Sequence, residues 1–116
     1  MNAQTETLLL EGAAGAIEAR RDLPAGTPCG IAVIAHPHPL FGGTLDNKVV
    51  QTLARAFVQL GWRAVRFNFR GIGKSEGGWD EGRGEIDDAF AVIAAERAPG
   101  KPLLLAGFSF GAYVAT

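Results

Sequence analysis

The chain has 116 residues, which bounds it to no more than one modest domain. Hydrophobic residues make up 47% and charged residues 20%, a globular balance rather than a disordered one. Eleven Lys and Arg against twelve Asp and Glu leave a formal charge of -1, which offers neither the basic footprint of a nucleic-acid binder nor a polybasic membrane patch.

In chain order, Thr5 to Glu11 reads as a strand around Leu8, Leu9 and Leu10, followed by a flexible turn at Gly12-Ala-Ala-Gly15. Ala16 to Arg21 alternates, with Ile17 and Ala19 apolar and Glu18 and Arg20 polar, which predicts a half-exposed antiparallel strand. Asp22 to Pro28 is a turn. Ile31-Ala-Val-Ile-Ala35 is a continuous apolar run, the pattern of a strand covered on both faces. The Pro/Gly loop His36-Pro-His-Pro-Leu-Phe-Gly-Gly43 follows, and Thr44 or Asp46 then N-caps a helix. Val49, Val50, Leu53, Ala54, Phe57 and Leu60 form its apolar face, and Gly61 suits the position just past its end. Ala64-Val-Arg-Phe67 is a third buried-type strand, ending in the loop Arg70 to Gly78.

A second helix is predicted near Gly84 to Arg97, stopped by Pro99-Gly100, with acidic Glu85, Asp87 and Asp88 at its start and Arg97 at its end. Ile86, Ala89, Phe90, Ile93 and Ala94 are its expected buried stripe. Pro102 to Ala106 is a short apolar strand that runs into Gly107-Phe-Ser-Phe-Gly111 and then into Ala112 to Thr116, a segment able to begin a helix. Strands alternating with helices of this length call for a parallel sheet, right-handed crossovers and helices on the faces.

Single residues add limits. Cys29 is the lone cysteine, so no internal disulfide or multi-cysteine metal site exists, and it reads as buried and inert. The opening Met1-Asn-Ala-Gln-Thr-Glu lacks the basic and apolar regions of a signal peptide, and no apolar run approaches the roughly 18 residues of a membrane span. The chain therefore reads as cytoplasmic. Glycine is in surplus, 16 residues in 116 against an average of roughly 7%.

Gly107-x-Ser109-x-Gly111 stands between a buried strand and a helix start, which is where a serine nucleophile needs a sharp turn. The neighbours two residues away must be small, and both are glycine. The turn aims the Phe110 N–H at a developing oxyanion. By composition alone the pattern arises in roughly 4% of shuffled chains, so the preceding strand carries much of its specificity. A second oxyanion donor belongs in the loop after the first parallel strand. Pro37 and Pro39 have no N–H, which leaves His38, the favoured donor, with Leu40 as the alternative.

His36 to Val50, Arg70-Gly-Ile-Gly-Lys-Ser75 and Gly107 to Gly111, three motifs in order, resemble the α/β-hydrolase superfamily. The likeness is to its small bacterial members with an H-P-x-P oxyanion loop. The resemblance implies a three-layer α/β-hydrolase sandwich: an N-terminal hairpin, then parallel β-α-β-α-β. It implies that Ser109 is the nucleophile and that Phe110 and His38 line the oxyanion hole. The implied chemistry is serine esterase action on a small acyl substrate through an acyl-enzyme, with no cofactor and no metal. In that family the acid and the histidine follow the nucleophile. Seven residues follow Ser109 here, and none is Asp, Glu or His. Residues 1–116 therefore read as the N-terminal part of a single incomplete domain, inactive alone, with the missing triad members beyond Thr116. The strand Leu103–Ala106 would then be an open edge, able to pair with a second copy or a partner.

Several rival readings compete. A non-catalytic interaction module on the same fold is one. An improvised Ser109–His36 dyad is another. Asn68 to Ser75 approaches a phosphate-binding loop, although Asn replaces its first glycine and Gly77-Gly78 follow where a helix should begin. His36 and His38 have poor spacing for a metal. Asp46, Asn47 and Lys48 read as capping, Trp79 and Tyr113 as packing, and Lys74 as solvated charge. Arg70 is solvated too, unless it pins its loop.

Overall fold

The computed structural model describes residues 5–12, 14–36, 44–78, 83–98 and 100–107. Seven elements follow one another: β1 (Thr5–Gly12), β2 (Gly15–Asp22), β3 (Ile31–Ala35), α1 (Lys48–Gln59), β4 (Arg63–Phe67), α2 (Arg83–Glu96) and β5 (Leu103–Gly107). The strands form one sheet in the order β1-β2-β4-β3-β5. β3 pairs in parallel with β4 and with β5, as their continuous apolar runs predict. The β1–β2 hairpin is added antiparallel to β4. From β3 the chain steps one way to β4 and then back past β3 to β5. Right-handed crossovers in opposite directions place α1 and α2 on opposite faces, giving three layers. The expected order of elements is therefore the observed one through Gly107, and residues 108–116 lie outside the described residues.

Two cores result. Under α2, Ile17, Ala19, Val33, Val65 and Phe67 of the sheet meet Ala89 and Val92. Under α1, Ile34 and Ala64 meet Val50 and Ala54, with Leu53, Phe57 and Val58 around them. Fully burying one of the Val, Ile or Phe side chains contributes about 1.5–3 kcal/mol. No helix among the described residues is long and apolar enough to cross a membrane.

Local expectations needed correcting at several points. Of the residues read as capping, Asn47 is the N-cap of α1, its Oδ1 accepting from the N–H groups of Val49 (2.9 Å) and Val50 (3.3 Å). Thr44 instead bonds the Asp46 N–H, and Asp46 pairs with arginines, so neither serves the helix. Val49 and Leu60, at the two ends of α1, are exposed, and Val58 joins the buried side in their place. β2 is not half-exposed: Ile17, Glu18 and Ala19 are buried in succession because the 68–76 stretch covers Glu18.

α2 keeps part of its predicted stripe, with Ala89 buried and Ile86 and Ile93 packed against the core, but departs from it at two positions. Phe90 is 66% exposed and Ala94 is exposed, whereas Glu85, Asp88, Ala89, Val92 and Glu96 turn inward. Asp88 and Glu96 have arginine partners on the inner side, and those pairs set the helix's phase. Only Glu85 sits in the first turn, and no basic residue lies in the last, since the helix ends before Arg97.

α1 ends as expected at Gly61, where φ is +87°. The Trp62 N–H bonds the Phe57 carbonyl (2.9 Å) and the Gly61 N–H bonds the Val58 carbonyl (3.0 Å), closing a Schellman motif. A Cβ at Gly61 would stand 3.2 Å from the Sγ of Cys29, which is exposed rather than buried as expected, in addition to the left-handed backbone penalty. Gly61→Ala is expected to lower stability by about 1–2 kcal/mol, read from the urea midpoint of the full-length protein. An unchanged midpoint would show that the motif carries no such strain.

Candidate active site

Because β3, β4 and β5 are parallel, their carboxyl ends share one edge of the sheet, where ligands of open α/β sheets bind. Gly107, the last residue of β5, pairs with Ala35, the last of β3. The segments leaving these two neighbouring strands are the ones that carry Ser109 and Phe110, and His38. Those three residues, with Leu40, Trp79 and Tyr113, lie outside the described residues. The described geometry therefore reaches the flanks of the candidate site: His36, the 44–46 turn, the 68–78 loop and Gly107.

His36 is fully buried. Its Nε2 accepts the Phe69 N–H at 3.0 Å, and its ring meets the Phe69 ring edge-on at 4.5 Å between centroids. A ring nitrogen that accepts a hydrogen bond carries no proton, which assigns the proton to Nδ1. The lone pair a serine would need is thus taken by the backbone, and the Ser109–His36 dyad is ruled out in this arrangement. His36 is a fastener between the ends of β3 and β4.

The loop after β4 is stitched to β2. Ser75 Oγ donates to the Asn68 carbonyl (2.7 Å) and accepts from the Glu18 N–H (2.8 Å). The Lys74 N–H and Asn68 Nδ2 both donate to Glu18 Oε1, at 2.9 and 2.8 Å. A phosphate-binding loop instead leaves its N–H groups for phosphate and its hydroxyl for Mg²⁺, with a helix starting at the Lys-Ser step. Here a carboxylate receives the Lys74 N–H, the hydroxyl is committed, and no helix begins at Lys74. The nucleotide-binding reading of Asn68–Ser75 is overturned.

Arg70 pins this loop to α2. Its N–H and Nε both donate to Asp88 Oδ2 at 3.1 Å, and Nη2 donates to Oδ1 at 2.9 Å. Lys74 is exposed, as a solvated loop charge should be.

The family described as serine aminopeptidase, S33 (Hydrolase_4) matches residues 28–116. The chain belongs to this α/β-hydrolase family. An α/β serine hydrolase homologue from Coxiella burnetii superposes with a TM-score of 0.89 at 45% identity, over 99% of this chain and 56% of that one. XC6422 of Xanthomonas campestris, described as an α/β serine hydrolase without lid, superposes with a TM-score of 0.88 at 43% identity, over 98% and 55%. Uncharacterized protein RP471 of Rickettsia prowazekii (strain Madrid E) is 38% identical over 111 residues, 93% of this chain and 47% of that protein. The chain spans about half the length of these relatives.

In this Hydrolase_4 chain the residues that sequence reading missed are charged and buried. Arg66 on β4 is 1% exposed and grips Asp22 through Nε–Oδ2 (2.9 Å) and Nη2–Oδ1 (3.3 Å). Its Nη1 reaches the Leu45 carbonyl (3.0 Å) and Asp46 (3.3 Å). Arg20 pairs directly across from Arg66, and Asp46 bridges the two like charges. On the other face, Arg21 makes two bonds to Glu96, at 2.8 and 2.7 Å. Those bonds raise the Arg21 guanidinium above its ordinary range against the opposing effect of burial. One sign was visible: an arginine inside the apolar run Ala64 to Phe67 must find an anion or leave a buried charge unpaired.

Proposed function

We propose that the full-length protein is a serine hydrolase acting on small acyl esters. In this reading Ser109 is the nucleophile and the N–H groups of Phe110 and His38 bind the oxyanion. An Asp or Glu and a His from beyond Thr116 complete the triad. Ser109 Oγ attacks the ester carbonyl while the histidine takes its proton, and the tetrahedral oxyanion rests on the two N–H groups. The C–O bond to the alcohol then breaks as the histidine protonates the leaving oxygen. Water, deprotonated by the same histidine, releases the acid and restores Ser109. No step calls for a cofactor.

The observation that carries this reading is the pairing of Gly107 with Ala35, which brings the strand leading into Ser109 beside the strand leading into the His36–Gly43 loop. The family match and the description of the Coxiella and Xanthomonas proteins as serine hydrolases support it. The family's aminopeptidase description keeps amide substrates as a second reading, since the same triad serves both bonds.

The test is covalent trapping. A fluorophosphonate incubated with the full-length protein is expected to add its mass to the peptide containing Ser109. Parallel turnover of p-nitrophenyl esters and aminoacyl p-nitroanilides separates ester from amide preference. Labelling at another residue would move the nucleophile away from Ser109, and no labelling would favour a non-catalytic interaction module.

A further inference from the structure

The 37–43 stretch carries both candidate oxyanion donors, and its two flanks are held by one short segment of chain. On one flank, His36 Nε2 accepts the Phe69 N–H at 3.0 Å. On the other, the Leu45 N–H donates to Asn68 Oδ1 at 2.8 Å, and the Leu45 carbonyl accepts from Arg66 Nη1 at 3.0 Å. Residues 66, 68 and 69 thus grip residues 36 and 45.

Asn68 is central to this grip. It is 4% exposed, and both ends of its amide are committed, Oδ1 to Leu45 and Nδ2 to Glu18 Oε1 at 2.8 Å. An ionised carboxylate only accepts hydrogen bonds. Glu18 therefore selects which way the amide faces, turning Nδ2 towards itself and Oδ1 towards the Leu45 N–H. Glu18 is in turn held by the Lys74 N–H at 2.9 Å. The fit is close enough that a Cβ at Gly73, where φ is +53°, would collide with the Glu18 carboxylate and the Asn68 amide.

We infer that Asn68 is a positioning residue for the oxyanion loop, its amide oriented by the buried Glu18 carboxylate so that the exit of the loop at Leu45 is fixed. The inference rests on the Ser109 acyl-transfer reading above. A donor N–H stabilises the oxyanion only if it stands about 2.7–3.1 Å from where that oxygen will be, so a loop released at one end loses rate rather than substrate affinity.

The test uses the full-length protein, a p-nitrophenyl ester and the fluorophosphonate probe. Asn68→Asp removes the donor to Glu18 and sets two carboxylates face to face. It is expected to lower kcat about 10- to 100-fold, below the roughly 10²–10³ lost with a whole oxyanion donor, with KM changed by no more than about twofold. Hydrogen exchange at the Leu45 amide should quicken. Asn68→Ala removes the acceptor without adding charge and should show the same loss of kcat, which covers the case in which the charged variant does not fold. Wild-type kcat in either variant overturns the assignment. If Ser109→Ala leaves probe labelling intact, the acyl-transfer reading fails instead. Exchange at Leu45 then decides the clamp alone: faster exchange in Asn68→Asp supports it, and unchanged exchange overturns it.

Discussion

Replacing Ser109 by alanine in the full-length protein is expected to cut ester turnover by about 10⁴-fold or more while leaving KM within a few-fold. The size of the loss follows from what alanine removes and what it leaves. In the proposed mechanism the hydroxyl is the only group that forms the acyl-enzyme, so without it the histidine would have no nucleophile to activate. The N–H donors and the substrate pocket survive, which accounts for a residual rate of about 10³–10⁴ over water in such variants. The change removes a single oxygen atom, so the folded population should be unchanged. Steady-state kinetics with p-nitrophenyl esters, alongside circular dichroism, reads both quantities. Turnover within tenfold of the parent would remove Ser109 from the mechanism.

The largest expected stability effect lies at Asp22, far from the carboxyl edge. Its side chain has no exposure, and it accepts from Arg66 and from Thr5 Oγ1, the latter at 2.8 Å. Taking one partner from a buried ion pair strands the other charge, at a cost of about 3–5 kcal/mol. Asp22→Ala is placed near the lower end, because Arg66 keeps the Leu45 carbonyl and a bond to Asp46, which is itself largely exposed. Adding Arg66→Met removes the stranded charge as well and should recover much of that loss, since apolar replacement of a whole buried pair is often neutral. Urea unfolding of the single and double variants of the full-length protein measures both effects. A loss under about 1 kcal/mol in Asp22→Ala would mean that water reaches Arg66 in solution.

These two predictions differ in how far they were legible before the fold was known. Ser109 stands out in the sequence because the requirements of a nucleophile turn are local: an apolar strand, two glycines at fixed offsets and a helix start. The same locality made the runs of β3, β4 and β5 readable, and the stop of α1 at Gly61. Asp22 read as the start of a turn, whereas it closes β2, and Glu18 looked like the solvent side of an alternating pattern. Both are buried because of what lies over them.

The sequence by itself determined the order of elements, the parallel character of the three apolar strands and the serine motif where the chain leaves the last of them. Each depends on neighbours within a few positions, where periodicity and glycine geometry act directly. Only the tertiary structure decided which charges are inside and what they hold. The pairs Arg70–Asp88, Arg66–Asp22, Glu18–Asn68 and Arg21–Glu96 join residues between 18 and 75 positions apart. Such partners meet only after the sheet forms, and two of the pairs then hold Asp88 and Glu96 of α2 inward beside Ala89 and Val92 while Phe90 is left outside. A buried charge without its partner costs several kcal/mol, whereas one exposed phenylalanine forfeits about 1.5–3 kcal/mol of burial. That difference is why Phe90 faces outward while Asp88 and Glu96 face in.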